Sequence, residues 1–140
     1  MKINLKQLPA TLKKKPYPLY LLSGDESLLI QEARDDILSA TKQRGFQLRE
    51  TISVETSFTW ESLYYATEAN SLFAEKKILD IRNPNAKFDK SIIPFLTRLT
   101  NSPNPDILLI ISTGKLTAAK EKTKWYKLIN ALGCHIPVWP

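Results

Sequence analysis

The turn after the first apolar run is where the residue types come nearest to binding phosphate. It reads Ser23-Gly24-Asp25-Glu26 and leads into a helical pattern. A phosphate-binding loop has the form G-x-x-x-x-G-K-[ST], because its glycines let backbone amides converge on the phosphate and its lysine neutralises the charge. This turn has a single glycine, no lysine, and carboxylates that would repel a phosphate. We therefore expect no nucleotide site here, and we predict no cofactor for the chain.

A second partial match to the same loop follows the fourth apolar run, at Gly114-Lys115-Leu116-Thr117. The upstream glycine would have to be Leu109, which lies inside the apolar run. Leu116 also stands where Ser or Thr should hold magnesium. We interpret this match as a coincidence.

The sequence predicts no catalytic residues and no metal site. Cys134 and His135 are the only cysteine and histidine of the chain, so no other soft ligand can complete a zinc site. Neighbours on a strand point to opposite faces, so the two could not converge on one ion. We expect Cys134 in the core and His135 on the surface. Asp35 and Asp36 lie in mid-helix, on what we expect to be a solvated face.

Basic residues are concentrated near the end of the chain. The net charge is +6, from 20 Lys and Arg against 14 Asp and Glu. The lysines assigned to the basic face of the last predicted helix are Lys115, Lys120, Lys122, Lys124 and Lys127. They could contact DNA phosphates or an acidic partner. Because no exposed aromatic residues lie between them, we favour a solvated helix face and keep nucleic-acid binding as the alternative.

One short connection carries two large apolar side chains. Between the second predicted helix and the third predicted strand the chain runs Ser71-Leu72-Phe73-Ala74. Leu72 and Phe73 either cap the core or stand out as an exposed hydrophobic anchor. Periodicity alone favours the core.

Apolar periodicity predicts the elements that position these residues. Strands are predicted at residues 19–22, 48–54, 78–81, 107–111 and 135–138, and helical stripes begin at Ile30, Trp60, Ile92 and Trp125. Asp25, Glu26 and Ser27 are expected to cap the first of these helices, and Ser57 or Thr59 the second. Strands that alternate with helices predict an α/β fold with a mostly parallel sheet of about five strands.

Length and composition agree with one domain of ordinary globular character. The chain has 140 residues, of which 43% are hydrophobic and 24% charged. Its apolar runs are far shorter than the roughly 20 residues that a bilayer requires, and Met1 opens a segment without the apolar stretch of a signal peptide. A single cysteine suits a reducing compartment. We expect a cytoplasmic protein that makes no contact with a membrane.

Several of these segments resemble the delta subunit family of the bacterial DNA polymerase III clamp loader. The family's first strand leads into Gly-x-[Asp/Glu]-x-x-Leu-x-x-Glu, which here is Gly24, Glu26, Leu29 and Glu32. Residues 70–74 resemble the family's clamp-binding tip, and residues 106–116 resemble its fourth strand and the turn after it. The similarity runs in order along essentially the whole chain. Ala69 departs from the glutamine with which clamp-binding peptides usually begin.

The resemblance implies an AAA+-type sandwich whose own nucleotide site is degenerate. It implies a subunit that binds the ring-shaped sliding clamp, the beta subunit, and helps to open it for loading on DNA, while other subunits hydrolyse ATP. Leu72 and Phe73 would enter an apolar pocket on the clamp, and Ser71 would shape the turn that presents them. The family belongs to a nucleotidyltransferase holoenzyme, although no catalytic site is expected in this chain.

Family members are longer than this chain and carry a lid domain and a C-terminal domain that forms the loader ring. The resemblance therefore implies that residues 1–140 are a single clamp-binding domain, and that contacts with other loader subunits belong to the domains it lacks. The alternative is a nucleic-acid-binding α/β module that acts through the basic last helix. A nucleotide-dependent enzyme is the third possibility, which the turn at Gly24 disfavours.

Overall fold

The computed structural model describes residues 1–70 and 75–138, and it is an α/β sandwich. The strands are β1 (Leu19–Ser23), β2 (Leu48–Ser53), β3 (Lys77–Asn83), β4 (Ile107–Thr113) and β5 (Cys134–Pro137). The α-helices are α1 (Leu8–Lys14), α2 (Ser27–Lys42), α3 (Trp60–Asn70), α4 (Ile92–Asn101) and α5 (Lys124–Leu132). Short 3-10 turns precede α1 and α5.

The five strands form one parallel sheet in the order β2-β3-β4-β1-β5. All seven residues of β4 are buried, which confirms the central strand predicted from its unbroken apolar run. By contrast, β2 is an edge strand whose side chains are mostly exposed. The prediction of a mostly parallel sheet of about five strands is confirmed.

Two apolar cores lie on opposite faces of this sheet. One face packs against α3, α4 and α5, with Trp60, Phe95 and Ile129 among its buried residues. The other packs against α1 and α2, with Leu8 and Ile37 at its centre. Each fully buried side chain of this size stabilises the fold by about 1.5–3 kcal/mol, so the two cores hold the sheet between helices.

Local signals set some of the helix ends. Thr59 accepts a hydrogen bond from the backbone of Ser62 at 3.2 Å and so caps α3, as one of the two predicted candidates. Pro94 is the third residue of α4, where its missing N–H breaks no helical bond. Gly133 follows α5, and a Cβ there would lie 2.1 Å from the carbonyl oxygen of Leu19, so only glycine permits this approach.

Two predictions about helices were wrong, and one helix was not predicted. The N-cap residue of α2 is Glu26, and its side chain makes no capping hydrogen bond, so the predicted cap is missing. Helix α1 was not predicted, because its seven residues are too few for a clear apolar stripe. The last helix begins only at Lys124, since residues 120–122 form a separate 3-10 turn.

Within the described parts of the chain, every helix is too short or too polar to cross a bilayer.

Candidate functional site

The predicted anchor residues Ser71, Leu72 and Phe73 lie outside the described residues. Their role therefore stays a prediction. The structure describes only the segments that precede and follow them. Helix α3 ends at Asn70, and strand β3 begins at Lys77.

The upstream flank, α3, is fixed by one buried face. Trp60 and Leu63 are each 2% exposed, and Thr67 is buried beside them. The Trp60 ring lies 5.8 Å from that of Phe95 on α4. The guanidinium of Arg98, also on α4, lies 4.6 Å from the ring of Tyr64. These contacts join the first half of α3, at Trp60 and Tyr64, to α4.

The downstream flank is fixed between two loops at the amino ends of the strands. The backbone N–H of Lys77 donates to the carbonyl of Asp106 at 2.8 Å, just before β4. The ammonium group of Lys76 lies 5.5 Å from the Phe46 ring centre and donates to the carbonyl of Arg44 at 3.3 Å, just before β2. The chain therefore enters β3 at a defined point on the amino edge of the sheet.

The turn at the opposite, carboxyl edge of the sheet is closed by backbone bonds. The N–H of Gly24 donates to the carbonyl of Thr113 at 3.2 Å, and the N–H of Val138 donates to the carbonyl of Ser23 at 2.7 Å. Gly24 has φ +151°, and a Cβ there would lie 2.5 Å from the Val138 carbonyl oxygen. The glycine thus serves the close packing of β1 against the end of β5, and its amide is already engaged.

The prediction of a surface histidine was wrong, because His135 is 1% exposed. The first residues of the chain cover it: the His135 N–H donates to the carbonyl of Met1 at 2.7 Å, and the Ile3 N–H donates to that of His135 at 2.9 Å. Its ring nitrogens are hydrogen-bonded to two hydroxyls: Nε2 to that of Ser23 at 2.8 Å, and Nδ1 to that of Tyr126 at 2.6 Å. Burial and the nearby charge of Lys2 lower the pKa of His135 to about 4.

This histidine is neutral at neutral pH. Its hydrogen bonds link its own strand, β5, to β1 and α5. A nucleophilic serine would need a histidine oriented by a carboxylate, but a tyrosine hydroxyl takes that position here. Its neighbour Cys134 lies in the core, as predicted. Burial raises the pKa of that thiol to about 11, so it is protonated and unreactive.

Sequence reasoning missed an ionic cluster on the α2 side of the sheet, which we call the Asp80 cluster. It consists of Asp80 on β3, Arg34 on α2, Arg49 on β2 and Arg82 on β3. Asp80 is 0% exposed. Its carboxylate oxygens lie 2.6 Å from Nη2 of Arg49, 3.0 Å from Nη2 of Arg82 and 3.5 Å from Nε of Arg34.

Opposing effects act on this carboxylate. Burial alone would raise the pKa of Asp80, but hydrogen bonds from Arg82 and Arg49 and the charge of Arg34 outweigh it, so the pKa lies below its usual value. The signal in the sequence was an aspartate inside an apolar strand, because a buried carboxylate requires cationic partners. Its partners could not be identified from the sequence.

The predicted basic face is divided between several elements. Lys124 and Lys127 are exposed and lie three residues apart on α5, so they share one side of the helix. Lys120 and Lys122 belong to the preceding 3-10 turn, and Lys115 lies in the loop after β4. The prediction that one helix carries all five lysines was wrong, and their contact with DNA or an acidic partner stays a prediction.

Comparison with known proteins identifies the family. Residues 20–138 match the family model described as DNA polymerase III, delta subunit. The DNA polymerase III subunit delta of Escherichia coli is 32% identical over 120 residues, which are 86% of this chain and 35% of that protein. The Haemophilus influenzae subunit is 31% identical over 112 residues, which are 80% of this chain and 32% of that protein.

A solved structure supports the fold. The Bacillus subtilis DNA clamp loader delta protein superposes with a TM-score of 0.66 at 17% identity, over 95% of this chain and 42% of that one. This chain spans about a third of the length of the curated relatives named above. The family match runs from the second residue of β1 to the residue after β5 and includes both flanks of the predicted anchor. The chain therefore belongs to the DNA polymerase III delta subunit family.

Proposed function

We propose that this chain is the clamp-binding domain of a clamp-loader delta subunit. It binds the sliding clamp and helps to open it for loading on DNA, and it hydrolyses no ATP itself. The observation that carries the proposal is the family match over residues 20–138, which includes the positions of Leu72 and Phe73.

The physical basis is a short apolar anchor on a rigid support. Burying a leucine and a phenylalanine in a partner's pocket contributes about 1.5–3 kcal/mol each, which suffices for a hot spot at the centre of an interface. Residues 71–74 connect α3, which packs on α4, to Lys76 and Lys77, which are bonded to neighbouring loops. Fixed flanks reduce the conformational entropy that the anchor loses on binding.

Ring opening requires contacts that differ between the closed and the open clamp. A domain that binds the open clamp more tightly than the closed ring shifts the clamp toward the open state. The role of the domain in this proposal is to supply that binding energy through Leu72 and Phe73.

The turn at Gly24, at the carboxyl edge of the sheet, supports a role that does not include ATP hydrolysis. The amide of Gly24 donates within the protein, and exposed Asp25 and Glu26 follow it. A triphosphate would meet carboxylates here in place of a lysine. ATP hydrolysis then belongs to other subunits of the loader.

Membership of the family supports a proposal about the partners of this chain. We propose that the chain associates with the beta subunit clamp and, as part of a longer protein, with the other subunits of the DNA polymerase III complex in the cytoplasm. Residues 1–140 act in this proposal as one domain, and lid and ring-forming domains supply the contacts between loader subunits.

A binding assay against purified sliding clamp tests the proposal. The variant Leu72→Ala/Phe73→Ala should weaken clamp binding by about a hundredfold or more, because both anchoring side chains are lost. Its circular dichroism and melting temperature should match those of the unmodified chain. Tyr65→Ala is the matched control, since Tyr65 is a large exposed side chain on α3 at 61% exposure. Full binding by the double variant, or its unfolding, contradicts the proposal.

A nucleic-acid-binding module is the second candidate, and exposed Lys124 and Lys127 on one side of α5 favour it. Binding to DNA through these lysines would weaken steeply with salt, because each phosphate contact releases counterions. Clamp binding through an apolar anchor would depend only weakly on salt. A salt series with each partner separates the two functions.

A further inference from the structure

The anchor at Leu72 and Phe73 is too small to form a whole interface by itself. A stable protein interface buries about 800 Å² on each partner. A buried aromatic side chain contributes about 150–250 Å², so two side chains of this kind supply at most about 500 Å². A stable complex with the clamp therefore requires a further surface of this chain, and that surface must adjoin the anchor.

An apolar groove lies at the amino edge of the sheet, where the chain enters β3 after the anchor. We call it the amino-edge groove, and its volume is about 430 Å³. Its two walls are the segments 16–18 and 103–105, which lie shortly before β1 and β4. Buried Phe46, Ile107 and Leu108 also line it.

The chemistry of the amino-edge groove suits an apolar partner. Prolines from both walls line it, and they have no N–H and a fixed φ. The hydroxyl of Tyr17 donates to the sulfur of Met1 at 3.3 Å, and the side-chain oxygen of Asn104 accepts from the N–H of Asp106 at 2.9 Å. These polar atoms already bond within the chain. Walls stiffened by proline also reduce the entropy that binding costs.

Short contacts connect the groove to the chain that follows the anchor. The ammonium group of Lys76 lies 5.5 Å from the ring centre of Phe46, which lines the groove. The backbone N–H of Lys77 donates to the carbonyl of Asp106, the residue after the second wall, at 2.8 Å. Phe73 precedes Lys76 by three residues, and three residues of extended chain span at most about 11 Å. A partner that holds the anchor therefore lies within reach of the groove.

We propose that the amino-edge groove is a second contact site for the sliding clamp, and that it receives an apolar segment of the clamp beside the pocket that holds the anchor. This inference rests on the proposed clamp function and extends it, because the groove supplies interface area that Leu72 and Phe73 lack. Two separate contacts also restrict rotation of the clamp about the anchor. The groove thereby helps to set the orientation of the clamp relative to the sheet.

Two exposed prolines at opposite edges of the sheet provide a matched test. Pro103 lies on a wall of the groove, and Pro84 lies in the loop after β3, at the carboxyl edge. Pro103→Glu should weaken binding to purified sliding clamp about tenfold or more, because a carboxylate would lose its water against an apolar partner. Pro84→Glu makes the same change in charge and should alter the affinity less than about twofold.

The measurement is a titration of labelled clamp with the 140-residue chain, and the melting temperature of each variant verifies its fold. Weakening by Pro103→Glu alone supports the site. Equal affinities of the two proline variants overturn this inference, while the proposed function stands if Leu72→Ala/Phe73→Ala still loses binding. Full binding by that anchor variant contradicts the proposed function instead, so the two failures are distinguishable.

If Pro103→Glu fails to fold, Pro18→Glu keeps the test, since Pro18 is an exposed residue of the opposite wall. The same tenfold loss is expected for it. Analytical ultracentrifugation tests a different occupant, a second copy of this chain. A dimer of the unmodified chain that Pro103→Glu dissociates would assign the groove to that second copy and overturn the inference.

Discussion

The guanidinium of Arg34 and the carboxylate of Asp80 form an ion pair that joins α2 to β3, with Nε and Oδ1 3.5 Å apart. Both residues are buried, at 7% and 0% exposure. The pair lies between a helix that packs on one face of the sheet and the strand that continues from the predicted anchor.

Loss of the Asp80 carboxylate should destabilise the fold strongly. Asp80→Ala leaves the buried guanidinium of Arg34 without its counter-charge, so we expect the free energy of unfolding to fall by about 3 kcal/mol. Urea denaturation followed by circular dichroism measures the change. Arg49→Gln is the control and should cost less than about 1 kcal/mol, because that side chain is 41% exposed. Equal losses for the two variants would show that the buried Arg34–Asp80 pair contributes no more to stability than the exposed Arg49–Asp80 pair.

Stability should fall as the pH drops from about 6.5 to 4, because the unfolded chain then binds a proton at His135 that the folded chain does not. The pKa of His135 is about 4 in the folded state, where burial and Lys2 lower it, against 6.5 for the free side chain. Since the folded pKa is the lower one, stability rises with pH across this window, by about 3 kcal/mol in total.

Thermal melts at several pH values measure this slope. His135→Gln keeps hydrogen-bonding groups near Ser23 and Tyr126 but cannot bind the proton, so its stability should vary less with pH between 4 and 6.5. Persistence of the full slope in that variant would assign the effect to carboxylates instead.

Gly24→Ala should destabilise the fold rather than alter any affinity for nucleotides. The added Cβ would lie 2.5 Å from the carbonyl oxygen of Val138, and the residue has φ +151°, which side chains rarely adopt. We expect a loss of about 2 kcal/mol or more in the free energy of unfolding. Urea denaturation measures it, with Gly114→Ala as a milder control, since its Cβ would lie 3.0 Å from the Pro84 carbonyl oxygen. An unchanged midpoint for Gly24→Ala would contradict the close packing at this turn.

The sheet could be predicted from the sequence because each strand is a local apolar run between turn residues. The run from Ile107 is long enough and apolar enough to identify the central strand alone. Helix α1 escaped prediction because its seven residues, with Pro9 in the first turn, give too little periodicity.

Long-range relationships explain the remaining misses. His135 is buried because residues at the other end of the chain pair with β5, as the bridge from Lys2 records. The Asp80 cluster draws Arg34 from α2 and Arg49 from β2, and no local pattern connects these positions. The anchor at Leu72 and Phe73 was proposed from family resemblance, because periodicity alone favoured a place in the core.

Replacing the exposed lysines of α5 should separate the two candidate functions. In Lys124→Gln/Lys127→Gln, two positive charges disappear from one side of a helix whose opposite side, with Trp125 and Ile129, stays packed in the core.

We expect clamp binding to change less than about twofold, because the apolar anchor is untouched. Any binding to single-stranded DNA should weaken. The slope of log affinity against log salt concentration should decrease by the amount that about two phosphate contacts contribute. Fluorescence anisotropy with labelled oligonucleotide and with labelled clamp measures both in one salt series. If clamp binding falls together with DNA binding, the lysines contribute to the clamp interface, and the anchor at Leu72 and Phe73 is not the sole source of affinity.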